Sequence, residues 1–487
     1  MLDKIEMKKK ADWQEYDAKM AHLEIRMGEL QRQCKNLGIP IMILFEGFEA
    51  SGKGTMINKM IQPLDPRGFK VYTMEKETKE DQMHPYLWRY ATKTPAKGRM
   101  YIFDRSWYQG LATGDLTAEE IRQFERQYTE DGMLIVKFFL AITKKEQNKR
   151  LSRLEEDKST RWRVTKSDWK KNEEYDEVLT AYDDMLIQTD TPEAPWIVVE
   201  AMDKKYAIYK ILSTLTAAME RAVKQREQSR RETPRPDTGD KTYPGDEIRN
   251  GVLNGVDLTL DITPEEYKKK RKELQKRMEI LHNKMYLQRV PVILAFEGWD
   301  AGGKGGAIKR ITQCMDPRGY EVVPVAAPND TERAHHYLWR FWNKFPKDGH
   351  MAIFDRTWYG RVLVERIEGF ATEQEWQRAY SEINHMESHL TKSGAVVLKF
   401  WMHIDKEEQE KRFRARQETP EKQWKITDED WRNREKWEEY ERAVDEMIVR
   451  TSTTSAPWHI IEANSKLYAR IKVLEIVVNA LEKRLLP

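Results

Sequence analysis

One glycine-rich stretch constrains this chain more than any other feature, and it occurs twice. Its clearer copy is Glu297-Gly-Trp-Asp-Ala-Gly-Gly-Lys-Gly305, which follows an apolar run at 292–296 and precedes a helix-like segment opening at Gly306. Strand, glycine-rich turn and helix is the context in which G-x-x-x-x-G-K forms a P-loop. Backbone N–H groups there converge on an anion beside a helix N-terminus. Gly298, Gly303 and Lys304 fill the pattern, with Gly302, Gly305 and Gly306 around them. Lys304 adds a mobile positive charge. Gly305 stands where a Ser or Thr usually follows the lysine. The competing reading is a strand-to-helix turn without a ligand. The joint fit of pattern and context argues against it.

The second occurrence is Glu46-Gly-Phe-Glu-Ala-Ser-Gly-Lys-Gly54, which places Gly47 opposite Gly298 and Lys53 opposite Lys304, an offset of 251. At the same offset Asp65-Pro-Arg-Gly-Phe69 matches Asp316-Pro-Arg-Gly-Tyr320, Tyr86-Leu-Trp-Arg89 matches Tyr337-Leu-Trp-Arg340, and Ile102-Phe-Asp-Arg105 matches Ile353-Phe-Asp-Arg356. Further on the offset is 262, pairing Lys137-Phe-Phe139 with Lys399-Phe-Trp401 and Ala194-Pro-Trp196 with Ala456-Pro-Trp458. The second copy therefore carries an 11-residue insertion after Tyr359, expected within 365–375. This period is too long for a solenoid and implies a tandem duplication of one domain. The expected division is a first domain over 1–225, a linker over 226–254 rich in Pro, Gly and charge, and a second domain over 255–487.

At 487 residues, two or three domains are the natural expectation. A net charge of +3 argues against a general nucleic-acid coat, though not against a local basic groove. Two isolated cysteines, Cys34 and Cys314, suggest a reducing compartment without a disulfide frame or metal cluster. The charged N-terminus lacks a signal-peptide core, and no apolar run is long enough to span a membrane. These features predict a soluble, cytoplasmic chain.

In the second copy, strands are expected at 292–296, 321–325, 351–354, 395–404 and 459–462, separated by helical patterns. Such alternation implies an α/β fold with a mostly parallel sheet and helices on both faces. Ligands of such sheets sit beyond the carboxyl ends of the strands, where the P-loop falls. A long helical stretch at 405–450 is a candidate lid, and Thr427-Asp-Glu-Asp430 resembles a capping box within it.

Phosphoryl transfer needs positioning and charge neutralisation more than covalent help. Asp355 ends a strand as a Walker-B carboxylate does and is suited to hold Mg²⁺. Asp300 lies inside the P-loop, where a carboxylate would repel phosphate. It implies metal ligation or orientation of the attacking oxygen, and either fits the missing Ser or Thr. Arg356 suits a planar clamp on a transferring phosphoryl group. Trp358 and Tyr359 read as packing. Arg361 and Glu365 fit a surface i,i+4 pair as well as a site role. Arg412, Arg414, Arg416, Lys422 and Lys425 make the lid basic. Singly they read as a salt-bridged solvated face, with Glu408 one turn before Arg412; together they suit a polyanion or a triphosphate. His335 and His336 carry no metal-ligand spacing.

Phe-Glu-Gly-Trp-Asp-Ala-Gly-Gly-Lys-Gly-Gly306, Phe354-Asp-Arg-Thr-Trp-Tyr359 and Arg412-Phe-Arg-Ala-Arg416 with Trp424-Lys425 resemble the second family of polyphosphate kinases. The resemblance covers nearly the whole chain, once per copy. It is closest to the fused two-domain branch, whose members move the terminal phosphate of inorganic polyphosphate to AMP and make ADP. It implies a P-loop kinase fold of thymidylate-kinase type with a helical lid, and dependence on Mg²⁺. It implies catalytic roles for Asp300 and Asp355, and phosphate binding by Lys304, Arg356 and the lid residues Arg412, Arg416 and Lys425.

The copies are unequal. Glu49 replaces Asp300, Gly110 and Gly114 replace Arg361 and Glu365, and Ser152 and Leu154 replace Arg414 and Arg416, while Lys53, Asp104 and Arg105 remain. A longer carboxylate in a tight loop misplaces its oxygens by about an ångström, which can cost on the order of 100-fold. The second copy is therefore expected to be catalytic. The first is expected to be structural, standing in for one partner of a homodimer, with weak phosphate binding at most. An ATP-dependent nucleotide kinase on the same fold and a nucleotide-sensing scaffold without turnover are the alternatives. Asp300 and the basic lid favour polyphosphate over the former. Acceptor preference and oligomeric state stay open, and a homo-oligomer is compatible with the sequence.

Overall fold

The computed structural model describes residues 1–2, 5–11, 13–74, 76–231, 251–420 and 428–486. They form two compact units. Unit 1 comprises Met1–Thr78, Tyr86–Asp237 and Asp330–His336, and unit 2 comprises Lys79–Pro85, Thr238–Asn329 and Tyr337–Pro487. The units thus follow the duplication except at 79–85 and 330–336, which the sequence boundaries did not anticipate. In unit 1 the Ala334 carbonyl accepts a 2.7 Å hydrogen bond from the Lys97 amide, and in unit 2 the Met83 carbonyl accepts one of 2.8 Å from the Asp348 amide. The helix Lys204–Arg231 runs past residue 225, where the linker was expected to begin.

Unit 1 holds strands β1 (Ile41–Gly47), β2 (Phe69–Thr73), β3 (Met100–Asp104), β4 (Leu134–Ala141) and β5 (Trp196–Glu200). Unit 2 holds β6 (Val292–Gly298), β7 (Tyr320–Pro324), β8 (Met351–Asp355), β9 (Val396–His403) and β10 (Trp458–Glu462). All pairings are parallel, in the orders β2-β3-β1-β4-β5 and β7-β8-β6-β9-β10. Every residue of β1 is buried, and in β6 only Gly298 is partly exposed. Side chains alternate between the faces of a strand, so burial at each position requires cover on both faces. The expected strands of the second copy are all present, and α/β architecture with a duplicated parallel sheet holds.

The register positions the chemistry. Asp355 lies beside Phe296 and Asp104 beside Phe45, so each strand-end carboxylate sits next to the strand that feeds its P-loop. The 11-residue insertion is split. In unit 1 a capping box from Thr117 opens the helix Ala118–Glu130, and in unit 2 one from Thr372 opens Glu373–Lys392, which is seven residues longer. Seven residues make almost two α-helical turns, so the buried face keeps its phase. The remaining four fall between Tyr359 and Glu365, since the Ala371 amide donates to the Glu365 carbonyl as the Leu116 amide does to that of Gly110, so the insertion lies on either side of the expected 365–375 window rather than within it.

The lid stretch contains the helices Lys406–Gln417, Asp428–Glu435 and Trp437–Thr451. Lys422, Trp424, Lys425 and Thr427 lie outside the described residues.

Candidate active site

The second P-loop turns sharply after β6. Gly298 has φ +145, and a Cβ there would come within 2.6 Å of Met402. Gly303 has φ +109 and leads into the helix Lys304–Thr312 without a side-chain cap, so the first-turn amides are left to the concave face of the loop. A Cβ at Gly305 would meet nothing within 4 Å, so crowding does not explain the missing hydroxyl residue. Lys304 folds back, its Nζ donating to the Gly298 carbonyl at 2.6 Å, as Lys53 does to Gly47 at 3.0 Å.

Two non-glycine residues here have left-handed backbones: Ala301 at φ 61 and Arg356 at φ 65. Their counterparts Ala50 and Arg105 share the feature, at φ 55 and 65. Such residues cost on the order of 1–3 kcal/mol each and persist only where the surroundings enforce them. Three devices do so. Glu297 is buried at the end of β6 and accepts hydrogen bonds from the Thr357 amide (2.7 Å) and hydroxyl (2.8 Å), tying the P-loop strand to the turn after β8. Burial raises its carboxyl above the usual range; for its counterpart Glu46, bonded to Ser106, burial raises it to about 7. The Arg356 amide donates to the Phe296 carbonyl at 3.0 Å.

The third device is a buried network under the turn. The Lys399 ammonium, fully buried in β9, donates to Glu387 (2.8 Å), to the Tyr359 hydroxyl (2.9 Å) and to the Thr451 carbonyl (2.6 Å). Glu387 also accepts from the Trp358 indole at 3.0 Å and the Tyr359 hydroxyl at 2.8 Å. Desolvation lowers the Lys399 ammonium and raises the Glu387 carboxyl. Trp358 and Tyr359 are core residues, as the sequence suggested, but with polar anchors. Lys137, Glu125, Trp107 and Tyr108 repeat the network in unit 1.

Asp300 is where the copies part. Its carboxylate receives the Arg356 guanidinium at 3.2 Å and the Asn433 amide at 3.2 Å. Glu49 is instead pinned by two cations, Arg105 at 2.9 Å and Lys171 at 2.7 Å. Burial opposes its ionisation, but Lys53, Arg105 and Lys171 hold its carboxyl down at about 2. Lys171 and Asn433 are equivalent positions, so the carboxylate and its lid partner change together. The Asp355 carboxylate, half-buried at the end of β8, has no hydrogen bond or ion pair among the described residues.

The lid arginines divide. Arg412 is buried, and all its nitrogens are engaged: Nε with Glu408 (2.7 Å), Nη1 with the Ala301 carbonyl (2.8 Å), and Nη2 with the carbonyls of Ala463 (2.6 Å) and Asn464 (2.9 Å). It braces the back of the P-loop, and Arg150 does the same in unit 1. Arg414 forms an exposed pair with Glu410 at 2.5 Å. Arg416 lines a cavity of about 260 Å³ with Gly302, Gly303, Gly306, Lys466 and Arg470. Arg361 pairs with Glu365 at 3.1 Å, and His336 packs on Tyr128 within unit 1. Among the described residues no group of three or more metal-ligating side chains occurs.

Sequence reasoning missed Asn433, Glu297, Glu387 and the Trp299 support. The Trp299 ring stacks on Trp437 at 3.7 Å and donates its indole N–H to His403 Nδ1 at 3.1 Å. The signal available was the aromatic repeat, since Phe48 stacks on Tyr175 at the equivalent place.

Comparison with known proteins agrees with this geometry. The Polyphosphate kinase 2 (PPK2) family profile matches residues 10–227 and again 261–486. A polyphosphate:AMP phosphotransferase of Pseudomonas syringae pv. tomato is 39% identical over 93% of this chain and 92% of its own length. One from Pseudomonas aeruginosa is 38% identical over 99% of both chains. A crystal structure described as a polyphosphate kinase 2 from Pseudomonas aeruginosa PA01 superposes with a TM-score of 0.86, 35% identity and 99% coverage of each chain. Among the described residues no helix is long and apolar enough to cross a membrane. The chain belongs to the polyphosphate kinase 2 family.

Proposed function

We propose that this member of the polyphosphate kinase 2 family transfers the terminal phosphate of inorganic polyphosphate to AMP, giving ADP, at the second P-loop. The supporting observation is the grouping of Asp300, Lys304, Asp355 and Arg356 about one glycine-rich cradle, in a chain whose full-length relatives carry that activity in their names. An oxygen of the AMP phosphate attacks the terminal phosphorus. The P–O bond to the next phosphate breaks, and the shortened chain leaves with the electron pair. Such a step is accelerated mainly by positioning and by neutralising charge on the transferring group.

Lys304 leaves its loop carbonyl for a phosphate oxygen, and Arg356 clamps the transferring group. Glu297 and the Lys399 network hold Arg356 in its strained conformation, so the clamp is set before substrate arrives. Mg²⁺ fits the donor set. Asp300 and Asp355 offer hard carboxylate oxygens, phosphates and water complete such a site, and Asp355 has no competing partner among the described residues. When bound, the ion neutralises charge on the phosphates. The first copy is non-catalytic in this reading. Its Glu49 is neutralised by Arg105 and Lys171, leaving little negative charge for a metal.

The experiment is incubation with AMP, Mg²⁺ and polyphosphate, without ATP. ADP is expected, and Asp300→Ala abolishes it. ADP formed only when ATP is the donor would replace this reading with an ATP-dependent nucleotide kinase. No transfer from either donor would leave the scaffold.

A further inference from the structure

Unit 2 carries a run of cations outside the group of Asp300, Lys304, Asp355 and Arg356. It begins behind the P-loop, in the cavity that Arg416, Lys466 and Arg470 share with Gly302, Gly303 and Gly306. The Arg470 guanidinium lies against Gly306, where a Cβ would come within 3.3 Å of it. Burial disfavours its charge, and Arg310 and Arg412 add repulsion. Arg310 continues the run, its Nε donating to the Tyr267 hydroxyl at 3.3 Å, and Arg271 stacks over the Tyr267 ring at 5.4 Å. The Arg271 Nε is buried without a hydrogen-bond partner. Burial alone would raise the Tyr267 hydroxyl, but Arg310, Arg271 and Arg470 hold it below its ordinary value.

Beyond Arg271 opens a cavity of about 940 Å³ lined by Lys268, Lys272 and Lys276 on the helix Pro264–Leu287. These three are exposed and make no ion pair among the described residues. They repeat every four residues along one face, over about 12 Å of helix. Like charges at that spacing repel one another and destabilise the helix. Two acids, Glu279 and Asp316, also line the cavity, and Asp316 is engaged by Arg318. On the opposite face the same helix pairs its cations, Lys270 with Glu475 and Arg277 with Glu482.

Unit 1 separates a structural role from a binding one. It builds the same helices and keeps the tyrosine as Tyr16, yet Asp17, Met20, Ala21 and Ile25 stand for Lys268, Arg271, Lys272 and Lys276, and Leu154 and Ile208 for Arg416 and Arg470. Burial, Asp17, Asp203 and Glu24 raise Tyr16, the reverse of Tyr267. The fold therefore does not need these six cations, and they are absent from the copy whose P-loop carboxylate is blocked, which keeps a cation only for Arg310, as Lys59, and for Lys466, as Lys204.

We propose that the tail of the polyphosphate donor runs from the second P-loop along this track, past Arg470 and Arg310, to Lys268, Lys272 and Lys276. The inference rests on polyphosphate being the donor, and it names residues that grade donors by length. A short donor fills only the P-loop end, whereas a long one also reaches the lysines.

The test is the full chain with Lys268→Glu, Lys272→Glu and Lys276→Glu combined, assayed for ADP from AMP with tripolyphosphate and with long-chain polyphosphate. All three side chains are exposed, and thermal unfolding checks that the variant is folded. Expected is a fall in kcat/KM for the long donor about tenfold greater than for tripolyphosphate, carried by KM, with a weaker salt dependence for the long donor. The Lys→Arg triple variant restores long-donor KM. Equal effects on both donors, or none, would overturn the track while ADP formation still supported the proposed reaction. Absence of ADP from either donor with the unmodified chain would instead overturn the reaction itself.

Discussion

Asp300 and Glu49 differ by one methylene, but their surroundings differ by a whole charge. Glu49 faces Arg105 and Lys171, whereas Asp300 faces Arg356 and the neutral Asn433. Asn433 thus orients Asp300 without neutralising it. Asn433→Lys would place an ammonium against Asp300, as Lys171 lies against Glu49, in competition with metal and phosphate. The expected result is a fall in kcat on the order of 100-fold with thermal stability unchanged. A variant with near-normal kcat would show that the charge beside Asp300 is irrelevant. The P-loop support titrates too. His403 accepts the Trp299 indole N–H on Nδ1, which requires the neutral ring, and burial lowers its folded-state value to about 4. The unfolded chain holds its proton near pH 6.5, so between pH 6.5 and 4 the unfolded state binds more protons. This contribution is therefore complete above about pH 6.5 and is lost as pH falls towards 4, up to about 3 kcal/mol. Replacing His403 with Ala, the residue at the equivalent Ala141, should flatten the pH dependence of unfolding in that window. An unchanged slope would assign it to other groups.

Among the elements, the strands were legible because central parallel strands read as continuous apolar runs. What was not legible depends on partners distant in sequence. Arg412 lies four residues from Glu408, so its ion pair could be expected. Its bonds to the carbonyls of Ala301, Ala463 and Asn464 span about a hundred or about fifty residues and turn an expected phosphate binder into a brace. Lys399 served only as a repeat marker, because nothing local distinguishes a buried lysine in a strand from a misplaced charge. Its partner Glu387 sits on the helix that carries the two-turn insertion. Lys399→Met leaves Glu387 buried and uncompensated and is expected to destabilise by about 3–5 kcal/mol. Adding Glu387→Leu should recover part of that loss, since the lone charge is the main penalty. Chemical denaturation of the two variants checks the order, and a single variant as stable as the double one would contradict it. Because Trp358 and Tyr359 hang on the same network, kcat should fall in both.

At the scale of the molecule, one sheet topology is used twice with two different charge layouts. Both copies keep what the fold needs: the apolar strands, the left-handed Ala50 and Ala301, the arginine brace and the buried lysine network. Only the second adds an orientable carboxylate and the cations Lys268, Arg271, Lys272, Lys276, Arg416 and Arg470. The loss of function proposed for the first copy therefore lies at the charges and not in the scaffold, which predicts an asymmetry under matched substitution. Asp355→Asn removes a carboxylate proposed to hold the metal, and ADP formation should drop about 100- to 1,000-fold. Asp104→Asn occupies the equivalent strand end in unit 1, beside a Glu49 already neutralised by two cations, and should leave kcat within about twofold. Asp355 has no hydrogen bond or ion pair among the described residues, so the double variant should behave as Asp355→Asn alone. Comparable losses from the two single variants would mean that both P-loops turn over. A further loss in the double variant would mean that the first copy still supports the second. Either result would overturn the division of labour inferred from Lys171 and Asn433.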